Sequence, residues 1–392
     1  MSLPVSRRAL AVQAPIIPVI AQAIREHPGT LSLGQGVVYY PPPASVFEAI
    51  GVLGRDAALN KYQAVHGTDA LIEAIAAKLA ADNDIRVDAG QRVVVTAGGN
   101  MAFLNLMMAI LDPGDEVVLP LPWYFNQQMA VTLVGGVAVG VPTDADYQLD
   151  VDAIERAITP RTRAVVTVSP NNPTGAVYSR ESLVAVNALC ARRGLYHVND
   201  EAYEYFVHEG EAPFSPGSLP GAGAHTVSLY SMSKAYGFAS WRVGWMVIPA
   251  HLYPAIAKIQ DTNLICPPVV SQLAATAALG EGRAWCMPRI AVLTEVREAV
   301  LAALAPLAPR VVVPRTRGAF YCLLRVAQPQ DSLADSLALA MRLIAQHRVA
   351  VLPGMAFGVD DPCLLRVSYG AIRRDEVVEA IGRLVEGLGA AG

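Results

Sequence analysis

The stretch Ser231-Met232-Ser233-Lys234-Ala235-Tyr236-Gly237, followed by Trp241-Arg242-Val243-Gly244, separates two apolar runs that predict buried strands. A lysine between two such strands is expected to lie in a partly desolvated pocket. Burial and a nearby cation such as Arg242 would lower the pKa of Lys234 there. The neutral amine that results can attack a carbonyl carbon, which an ammonium group cannot do. An isolated S-x-S-K segment also fits a surface loop with a solvent-facing lysine, so the rest of the chain has to decide between the two interpretations.

The composition predicts a large folded protein. Of the 392 residues, 53% are hydrophobic and 16% are charged, which favours an extensive buried core. A formal net charge of −4 favours neither nucleic acid nor an anionic membrane as a partner. The five cysteines are scattered without a C-x-x-C pair, so we expect reduced thiols and no metal site. No apolar run is long enough to span a membrane, and residues 1–4 do not resemble the start of a signal peptide, so we expect a cytoplasmic protein.

From residue 92 onward, β-branched apolar runs alternate with helical segments. The predicted strands are Val93–Thr96, Glu116–Leu119, Val137–Val141, Ala164–Val168, Leu195–Val198, Thr226–Tyr230 and Gly244–Ile248. The predicted helices are Asn100–Leu111, Tyr124–Val134, Val151–Ile158, Arg180–Arg192, Val269–Leu279 and Pro288–Ala305. Continuous apolar strands alternating with helices predict an α/β fold, with a mostly parallel seven-stranded sheet sandwiched by helices. Ligands are expected beyond the carboxyl ends of its strands.

The regions outside this sheet predict an N-terminal arm and a second, smaller domain. Residues Pro4–Pro28 predict one amphipathic helix, which ends at a Pro-Gly break. The carboxyl-terminal third alternates helices with short strands and predicts a smaller α+β domain. We therefore place an N-terminal arm at residues 1–45, joining the small domain, a large ligand-binding domain at 46–280 and a small domain at 281–392.

Four polar groups fall where a ligand site of such a sheet is expected, namely Gly98 and Gly99 with Asn100, Asp200 with Tyr203, Asn172, and Arg242. The glycine pair opens a helix, where bare N–H groups suit a phosphate, although a simple tight turn has the same pattern. Asp200 ends a strand and could hold the proton of a pyridinium nitrogen, although a helix N-cap is the alternative.

The other two groups complete the pattern. Asn172 lies between Pro170 and Pro173, so its amide would be held on a rigid platform, or would simply form part of a turn. Arg242 stands in an apolar segment and can bind a phosphate through two parallel hydrogen bonds. Together with the amine of Lys234, these groups describe a site for pyridoxal 5′-phosphate (PLP).

On these motifs the chain resembles the class I/II aminotransferases of PLP fold type I, over about residues 30 to 385. The matching motifs are S-P-N-N-P-T-G at 169–175, D-E-A-Y at 200–203, S-M-S-K-x-x-G with W-R-V-G at 231–244, and L-R-V-S at 365–368. The resemblance implies PLP as cofactor, amino acid and 2-oxo acid substrates, and a homodimer with shared active sites.

The resemblance also implies a role for each catalytic residue. Lys234 would bind the cofactor aldehyde and move the proton of the substrate Cα. Asp200 would pair with the pyridine nitrogen, while Tyr203 and Asn172 would bond to the ring oxygen O3′. Tyr124 would stack on the pyridine ring, with Trp123 as the alternative.

The same resemblance implies how the two ends of the site are held. The phosphate would be bound by Gly98, Gly99, Asn100, Ser231, Arg242 and, from the neighbouring subunit, Tyr62. The substrate α-carboxylate would be bound by Arg366 and Asn172, with Gly36 closing over it. One departure affects this lid, because the family often has a Pro-Asp pair where this chain reads Val37-Val38-Tyr39-Tyr40.

Within the family, the chain is most similar to plant-type aromatic amino acid and methionine aminotransferases, on T-A-G-x-N-x-A-F at 96–103 and Q-D-x-x-x-I-C at 260–266. Dicarboxylate-specific relatives of one branch carry an arginine that is missing here between Ile259 and Pro268. An unpaired buried carboxylate would cost roughly 2–5 kcal/mol, which disfavours aspartate as donor, although other branches bind it differently. Asp261 could attract a basic substrate or simply face solvent from a helix.

We therefore predict a PLP-dependent aminotransferase that transfers an amino group from an aromatic or sulfur-containing L-amino acid to a 2-oxo acid in a ping-pong reaction. The alternatives are a PLP-dependent β-lyase of the cysteine-conjugate or cystathionine type, and an aspartate aminotransferase. A non-catalytic PLP-binding regulator is disfavoured, because no basic helix-turn-helix pattern precedes residue 30 and both Lys234 and Arg366 are present.

Overall fold

The structure, a computed structural model, describes residues 3–210, 214–327, 335–359 and 363–389. The helices there are α1 (Arg7–Ala11), α2 (Ile16–Glu26), α3 (Ser45–Ile50), α4 (Asp69–Asp82), α5 (Gly99–Ile110), α6 (Phe125–Leu133), α7 (Val151–Ala157), α8 (Arg180–Arg193), α9 (Tyr253–Asn263), α10 (Val269–Leu304), α11 (Ser336–His347) and α12 (Arg374–Gly389). The strands are β1 (Leu31–Ser32), β2 (Gln91–Thr96), β3 (Glu116–Leu121), β4 (Val137–Pro142), β5 (Thr162–Val168), β6 (Tyr196–Asp200), β7 (Thr226–Ser231), β8 (Gly244–Pro249), β9 (Val311–Val312), β10 (Tyr321–Val326), β11 (Val349–Ala350), β12 (Leu352–Pro353) and β13 (Leu364–Ser368).

The strands β2 to β8 form one seven-stranded sheet in the spatial order β2-β8-β7-β6-β5-β3-β4. Neighbours from β3 to β7 pair in parallel, whereas β8 runs antiparallel to both β2 and β7. The predicted seven-stranded, mostly parallel sheet is therefore confirmed. Each of these strands is one or two residues longer than the apolar run that predicts it.

Apolar side chains on both faces of this sheet explain why helices pack against both of its faces. Along β2, Val94 packs into one layer of the core while Val93 and Val95 pack into the other. Phe103 and Leu106 of α5 belong to the first layer. A strand that is apolar on both faces is stable only between two such layers, since either face would otherwise meet water.

The N-terminal segment differs from its prediction. In place of one helix over Pro4–Pro28, α1 ends at Ala11 and α2 begins at Ile16. Pro15 is the N-cap of α2 in an extended conformation. Proline disfavours helical geometry in the residue before it and has no N–H to donate, which explains the interruption.

The carboxyl-terminal region contains a four-stranded antiparallel sheet in the order β12-β13-β10-β9. The short strand β1 pairs in parallel with β11, which brings Leu31 opposite Val349. The predicted helices Val269–Leu279 and Pro288–Ala305 are both parts of α10. The backbone of α10 departs from helical geometry at Gly282, where φ is 65°. This kink lies next to the boundary placed between residues 280 and 281, and the three domain bounds themselves stay a prediction.

Within the described ranges, no helix has both the length and the apolar character that crossing a membrane requires.

Candidate active site

Three neighbouring parallel strands end at the same edge of the large sheet, at Val168, Asp200 and Ser231. A cavity of about 120 Å³ opens directly beyond them. Its lining consists of Gly99, Asn100, Tyr124, Val168, Asn172, Asp200, Ala202, Tyr203, Ser231, Ser233, Lys234, Ala239 and Arg242. The structure therefore brings most of the predicted site residues to one place, at the carboxyl edge where open α/β sheets bind ligands.

One end of the cavity is suited to an anion. Gly98 has a φ of 84° and is the N-cap of α5, whose first residues, Gly99 and Asn100, line the cavity and leave their N–H groups without helical partners. The guanidinium of Arg242 lies against Gly98, and a Cβ on that glycine would overlap Nη2. Nη2 also donates to the Ala97 carbonyl at 3.3 Å. Arg242 is exposed, so its charge is available to a ligand.

Lys234 reaches into the middle of the cavity. Its Nζ donates a hydrogen bond of 2.6 Å to the carbonyl of Gly36, which lies 198 positions away in the chain. Burial, followed by the charge of Arg366 and to a lesser extent that of Arg242, lowers the pKa of Lys234 to about 8, although the charge of Asp200 opposes the shift. The sequence indicated Arg242 as the nearby cation, whereas Arg366 has the larger effect. The neutral amine is therefore accessible near physiological pH.

Asp200 lies at the end of β6 with a donor on each carboxylate oxygen. The backbone N–H of Ala202 donates to Oδ1 at 3.1 Å, and Nε2 of Gln127 donates to Oδ2 at 2.9 Å. Burial raises the pKa of Asp200 to about 6, against these hydrogen bonds and the charge of Lys234. A carboxylate held in this way suits a cationic N–H group in the cavity.

The structure distinguishes the two candidate ring-stacking residues. Tyr124 lines the cavity, and its hydroxyl donates to Oδ1 of Asn100 at 3.3 Å. Trp123 packs instead on the loop of the smaller sheet, where a Cβ on Gly358 would overlap its indole. Of these two side chains, Tyr124 is therefore the one that a cavity ligand would meet.

Arg366 approaches from the smaller sheet and is almost fully buried. Nη1 donates to Oδ1 of Asn172 at 2.9 Å, and Nη2 donates to the Gly34 carbonyl at 2.6 Å. Its Nε is buried without a partner among the described residues. A buried cation whose partners are neutral oxygens is an unbalanced charge, which favours an anionic ligand beside it.

Tyr62 lies apart from this cluster. Its side chain is 79% exposed, and it does not line the cavity. A single chain therefore does not bring this predicted phosphate-binding residue to the site.

Three further residues lie at the site without having been predicted from the sequence, namely Gln127, Ser233 and Tyr321. Gln127 lies one helical turn after Tyr124 at the start of α6, so its spacing could have indicated it. Ser233 lies within the quoted motif, and its Oγ is 3.5 Å from Nη1 of Arg242. Tyr321 has no local signal, because it lies 118 positions from Tyr203, to which its hydroxyl is bonded.

A larger cleft of about 610 Å³ lies at the opposite, amino-terminal edge of the sheet, between residues such as Asp84, Gln91 and His251. It is open and does not contain the predicted site residues. Because the predicted site residues line the smaller cavity, that cavity is the candidate active site.

The sequence model of one protein family, aminotransferase class I and II, matches residues 28–384. The chain belongs to the class I and II aminotransferases. This match confirms the predicted family and enzyme class, and it agrees with the fold.

Curated relatives support the same conclusion. This aminotransferase is 33% identical over 391 residues to an aromatic aminotransferase of Arabidopsis thaliana, covering 98% of this chain and 96% of the relative. It is 34% identical over 335 residues to a probable aspartate/prephenate aminotransferase of Aquifex aeolicus, covering 84% of each chain. Both relatives are named as aminotransferases, so the β-lyase alternative is not favoured.

Solved structures are similar over nearly the whole aminotransferase. The aspartate aminotransferase of Thermus thermophilus with maleate superimposes with a TM-score of 0.89 at 32% identity, covering 98% of this chain and all of the other. An aromatic aminotransferase from Pyrococcus horikoshii gives a TM-score of 0.86 at 30% identity, covering 95% and 99%. These similarities confirm fold type I as the fold class.

Proposed function

We propose that this aminotransferase uses PLP, works as a homodimer with shared active sites, and prefers aromatic or sulfur-containing L-amino acids as donors. The observation that carries the proposal is the arrangement of Lys234, Asp200 and Tyr203 around one cavity at the carboxyl edge of the sheet. Its cytoplasmic location stays a prediction from the sequence.

The residues present fit PLP at each of its polar groups. The glycine turn at Gly98, the N-terminus of α5, Ser231 and Arg242 offer donors for a dianionic phosphate. Asp200 offers a carboxylate for a pyridinium N–H, and Tyr203 with Asn172 offers donors for the ring oxygen. When bound, the cofactor supplies an aldehyde and an electron-withdrawing ring.

The residues around the cavity then have separate tasks. The neutral amine of Lys234 would be the group that holds the cofactor aldehyde, with loss of water, and, when free, would carry the proton of the substrate Cα. In its ionised form Asp200 would keep the pyridine nitrogen protonated, and a donor on each of its oxygens favours that form. Gln127 and Ala202 supply those donors.

Arg366 is proposed to bind the α-carboxylate of either substrate. Its guanidinium already lies at hydrogen-bonding distance from Asn172 and Gly34, so little reorganisation is needed when a carboxylate arrives. The carbonyl of Gly36, which accepts from Lys234, lies in the same segment as Gly34. This segment therefore contacts both the amine and the arginine.

The homodimer is supported by apolar side chains that a single chain leaves exposed. Phe47, Val52, Tyr62, Ile265 and Val270 are each more than a third exposed. The segments of Tyr62 and Ile265 are neighbours, because the N–H of Gln63 lies 3.5 Å from Sγ of Cys266. We propose that a second copy covers this surface and that Tyr62 reaches the partner's phosphate site, as the family resemblance implies.

The donor preference rests on the segment from Ile259 to Pro268, where dicarboxylate-specific relatives of one branch carry an arginine. No arginine lies between Ile259 and Pro268, and Asp261 is exposed on α9. One relative is named as an aromatic aminotransferase and another as a probable aspartate/prephenate aminotransferase, so the names of the relatives do not decide between the two donor classes. The absence of an arginine in this segment favours the aromatic or thioether side chain.

A half-reaction on the PLP-loaded protein tests the proposal. L-phenylalanine, L-methionine, L-aspartate and L-arginine are added separately without an amino acceptor, and the cofactor absorbance is followed. Conversion to the amino form by phenylalanine or methionine, with aspartate slow, is the expected result. The Lys234→Ala variant is the control and should show no conversion.

Three results would contradict the proposal at different levels. Fast conversion by aspartate would overturn the donor preference alone. Pyruvate and ammonia released from added L-cystathionine or a cysteine S-conjugate, without conversion of the cofactor, would indicate a β-lyase. Failure of the protein to bind PLP would overturn the cofactor assignment.

A further inference from the structure

Tyr321 is the first residue of β10 and is fully buried between the two sheets' side chains. It pairs opposite Ser368 of β13, two positions from Arg366 on the same strand. Side chains two positions apart on a strand point to the same face, so Tyr321 and Arg366 are diagonal neighbours. The centre of the Tyr321 ring is 4.5 Å from the guanidinium carbon of Arg366.

The hydroxyl of Tyr321 reaches two residues that the proposed function places in the site. Its oxygen lies 2.7 Å from the hydroxyl oxygen of Tyr203. It also occupies the space beside Gly36, where a Cβ would overlap it. Tyr321 therefore touches both the residue expected to bond to the cofactor ring and the segment expected to close over the substrate.

The turn that contains Asn172 holds Tyr321 in place. The carbonyl of Gly175 accepts hydrogen bonds from the N–H groups of Arg317 at 2.9 Å and Gly318 at 2.8 Å. Gly175 has a φ of 75°, and a Cβ there would overlap the carbonyl of Tyr321. The start of β10 is therefore packed directly against the loop that positions Asn172, which leaves Tyr321 little freedom to move.

The direction of the hydrogen bond between the two tyrosines follows from their surroundings. Burial raises the pKa of Tyr321 to about 12, and the charge of Arg366 opposes this rise. Burial also raises the pKa of Tyr203, well above its ordinary value, and the neighbouring Tyr321 raises it further. Among the described residues the Tyr321 hydroxyl bonds only to Tyr203, and it does not line the cavity, whereas Tyr203 does. Donation from Tyr321 to Tyr203 gives the Tyr321 hydrogen an acceptor and leaves the Tyr203 hydrogen free for a ligand, so Tyr321 is the donor.

We propose that Tyr321 is a positioning residue that donates its hydroxyl hydrogen to Tyr203, so that the hydrogen of Tyr203 faces the cavity and the ring oxygen of the cofactor. This inference rests on the proposed function, because it assigns Tyr321 to the same site. A hydroxyl that accepts one hydrogen bond donates a second more strongly, by about 10–30%. Tyr321 thus strengthens the bond that Tyr203 makes to the cofactor.

The absorbance of the bound cofactor reports this bond. A donor to the ring oxygen stabilises negative charge there, and that charge increases when the cofactor's imine nitrogen loses its proton. A stronger donor therefore lowers the pKa of the cofactor chromophore. Loss of the Tyr321 hydroxyl is expected to raise that pKa, whereas the opposite bond direction would lower it, because Tyr203 would then be freed to donate.

The test is an absorbance titration of the PLP-loaded Tyr321→Phe, Tyr203→Phe and double variants without substrate. We expect Tyr203→Phe to raise the chromophore pKa most and Tyr321→Phe to raise it by a few tenths of a unit. In the Tyr203→Phe background, Tyr321→Phe should add nothing, because its effect passes through Tyr203. Tyr369→Phe is the matched control, since its buried hydroxyl has no hydrogen-bond partner among the described residues, and it should leave the pKa unchanged.

A second variant perturbs the same hydroxyl if Tyr321→Phe does not fold. Gly36→Ala would push a methyl group against the Tyr321 hydroxyl and should raise the chromophore pKa in the same direction. An unchanged or lowered pKa in Tyr321→Phe, or a full additional effect in the double variant, would overturn the inference. A wild-type protein without cofactor absorbance would overturn the proposed function, and this inference with it.

Discussion

Nε2 of Gln127 donates a hydrogen bond to Oδ2 of Asp200 at 2.9 Å, from a side chain that is only 2% exposed. Gln127 is uncharged, so it favours the ionised carboxylate without offering a group that could take its proton. Burial raises the pKa of Asp200 to about 6 in spite of this bond. Together with the N–H of Ala202 and the charge of Lys234, Gln127 therefore helps Asp200 to remain ionised near neutral pH.

Replacing Gln127 by leucine should make Asp200 easier to protonate. Because the ionised form loses a donor, the pKa of Asp200 should rise above about 6. The acid limb of kcat/KM should move to higher pH by about half a unit to one unit, since a hydrogen bond contributes about 0.5–1.5 kcal/mol and one pKa unit is about 1.4 kcal/mol. A pH–rate profile measures this.

Gln128→Leu is the matched control for that profile. Gln128 follows on the same helix, but its amide donates to Thr132 at 3.0 Å and not to Asp200. Its acid limb should coincide with that of the wild type. An acid limb that moves equally in both variants would show that helix α6, and not the bond to Asp200, is responsible.

The pH dependence of cofactor capture should reveal the shifted pKa of Lys234. Only the neutral amine reacts with an aldehyde, and the pKa of Lys234 is lowered to about 8, chiefly by burial. The rate at which the apoprotein takes up PLP should therefore rise with pH and reach half of its plateau near pH 8. Stopped-flow absorbance measures this rate.

Two neighbours should move that midpoint in opposite directions. Arg366→Leu removes a positive charge that lowers the pKa of Lys234, so the midpoint should rise. Asp200→Asn removes a negative charge that raises it, so the midpoint should fall. A wild-type midpoint close to the ordinary lysine value of about 10.4 would contradict the buried environment described for Lys234.

Replacing Arg366 by lysine should weaken substrate binding more than the chemical step. Lysine keeps the charge but cannot make two parallel hydrogen bonds to a carboxylate. Charge-assisted hydrogen bonds contribute about 1.5–3 kcal/mol, so KM should rise by about 10-fold to 100-fold while kcat changes less. Steady-state kinetics with L-phenylalanine measure both.

Arg325→Lys provides the comparison, because Arg325 lies on β10 of the same smaller sheet and donates to the carbonyl of Ala145 instead. Its KM should match that of the wild type. If Arg366→Lys lowered only kcat, Arg366 would not be the group that binds the substrate in the ground state.

Tyr62 should act in the site of the neighbouring subunit. A hybrid dimer of one Lys234→Ala chain and one Tyr62→Ala chain contains one site with both defects and one site with neither. Co-expression with two affinity tags isolates this hybrid. We expect about half of the wild-type activity per dimer if the sites are shared, since one of the two sites is then complete.

The two parent homodimers are the controls. The Lys234→Ala homodimer should be inactive, and the Tyr62→Ala homodimer should bind PLP more weakly. If the hybrid has no more activity than one defective Tyr62→Ala site provides, each Tyr62 acts in its own chain, or not at all. This result would contradict shared sites while leaving the aminotransferase activity unaffected.

The sequence by itself was sufficient to predict the features that depend on residues close together in the chain. Runs such as Thr226–Tyr230 predict strands because local apolar patterning and β-branching decide their conformation. Asp200 and Ser231 could be placed at one edge of a sheet because parallel strands share the direction of their carboxyl ends. The motif around Lys234 was informative for the same reason, since its residues occupy one strand end and the turn that follows it.

Only the tertiary structure decided which side chains meet across long separations. It placed Tyr321 against Tyr203, made Arg366 a stronger influence than Arg242 on the pKa of Lys234, and left Arg242 exposed. These outcomes depend on how the smaller sheet packs over the carboxyl edge of the larger one. No local pattern encodes that packing, because contact energies between distant residues depend on the position and burial of every element between them.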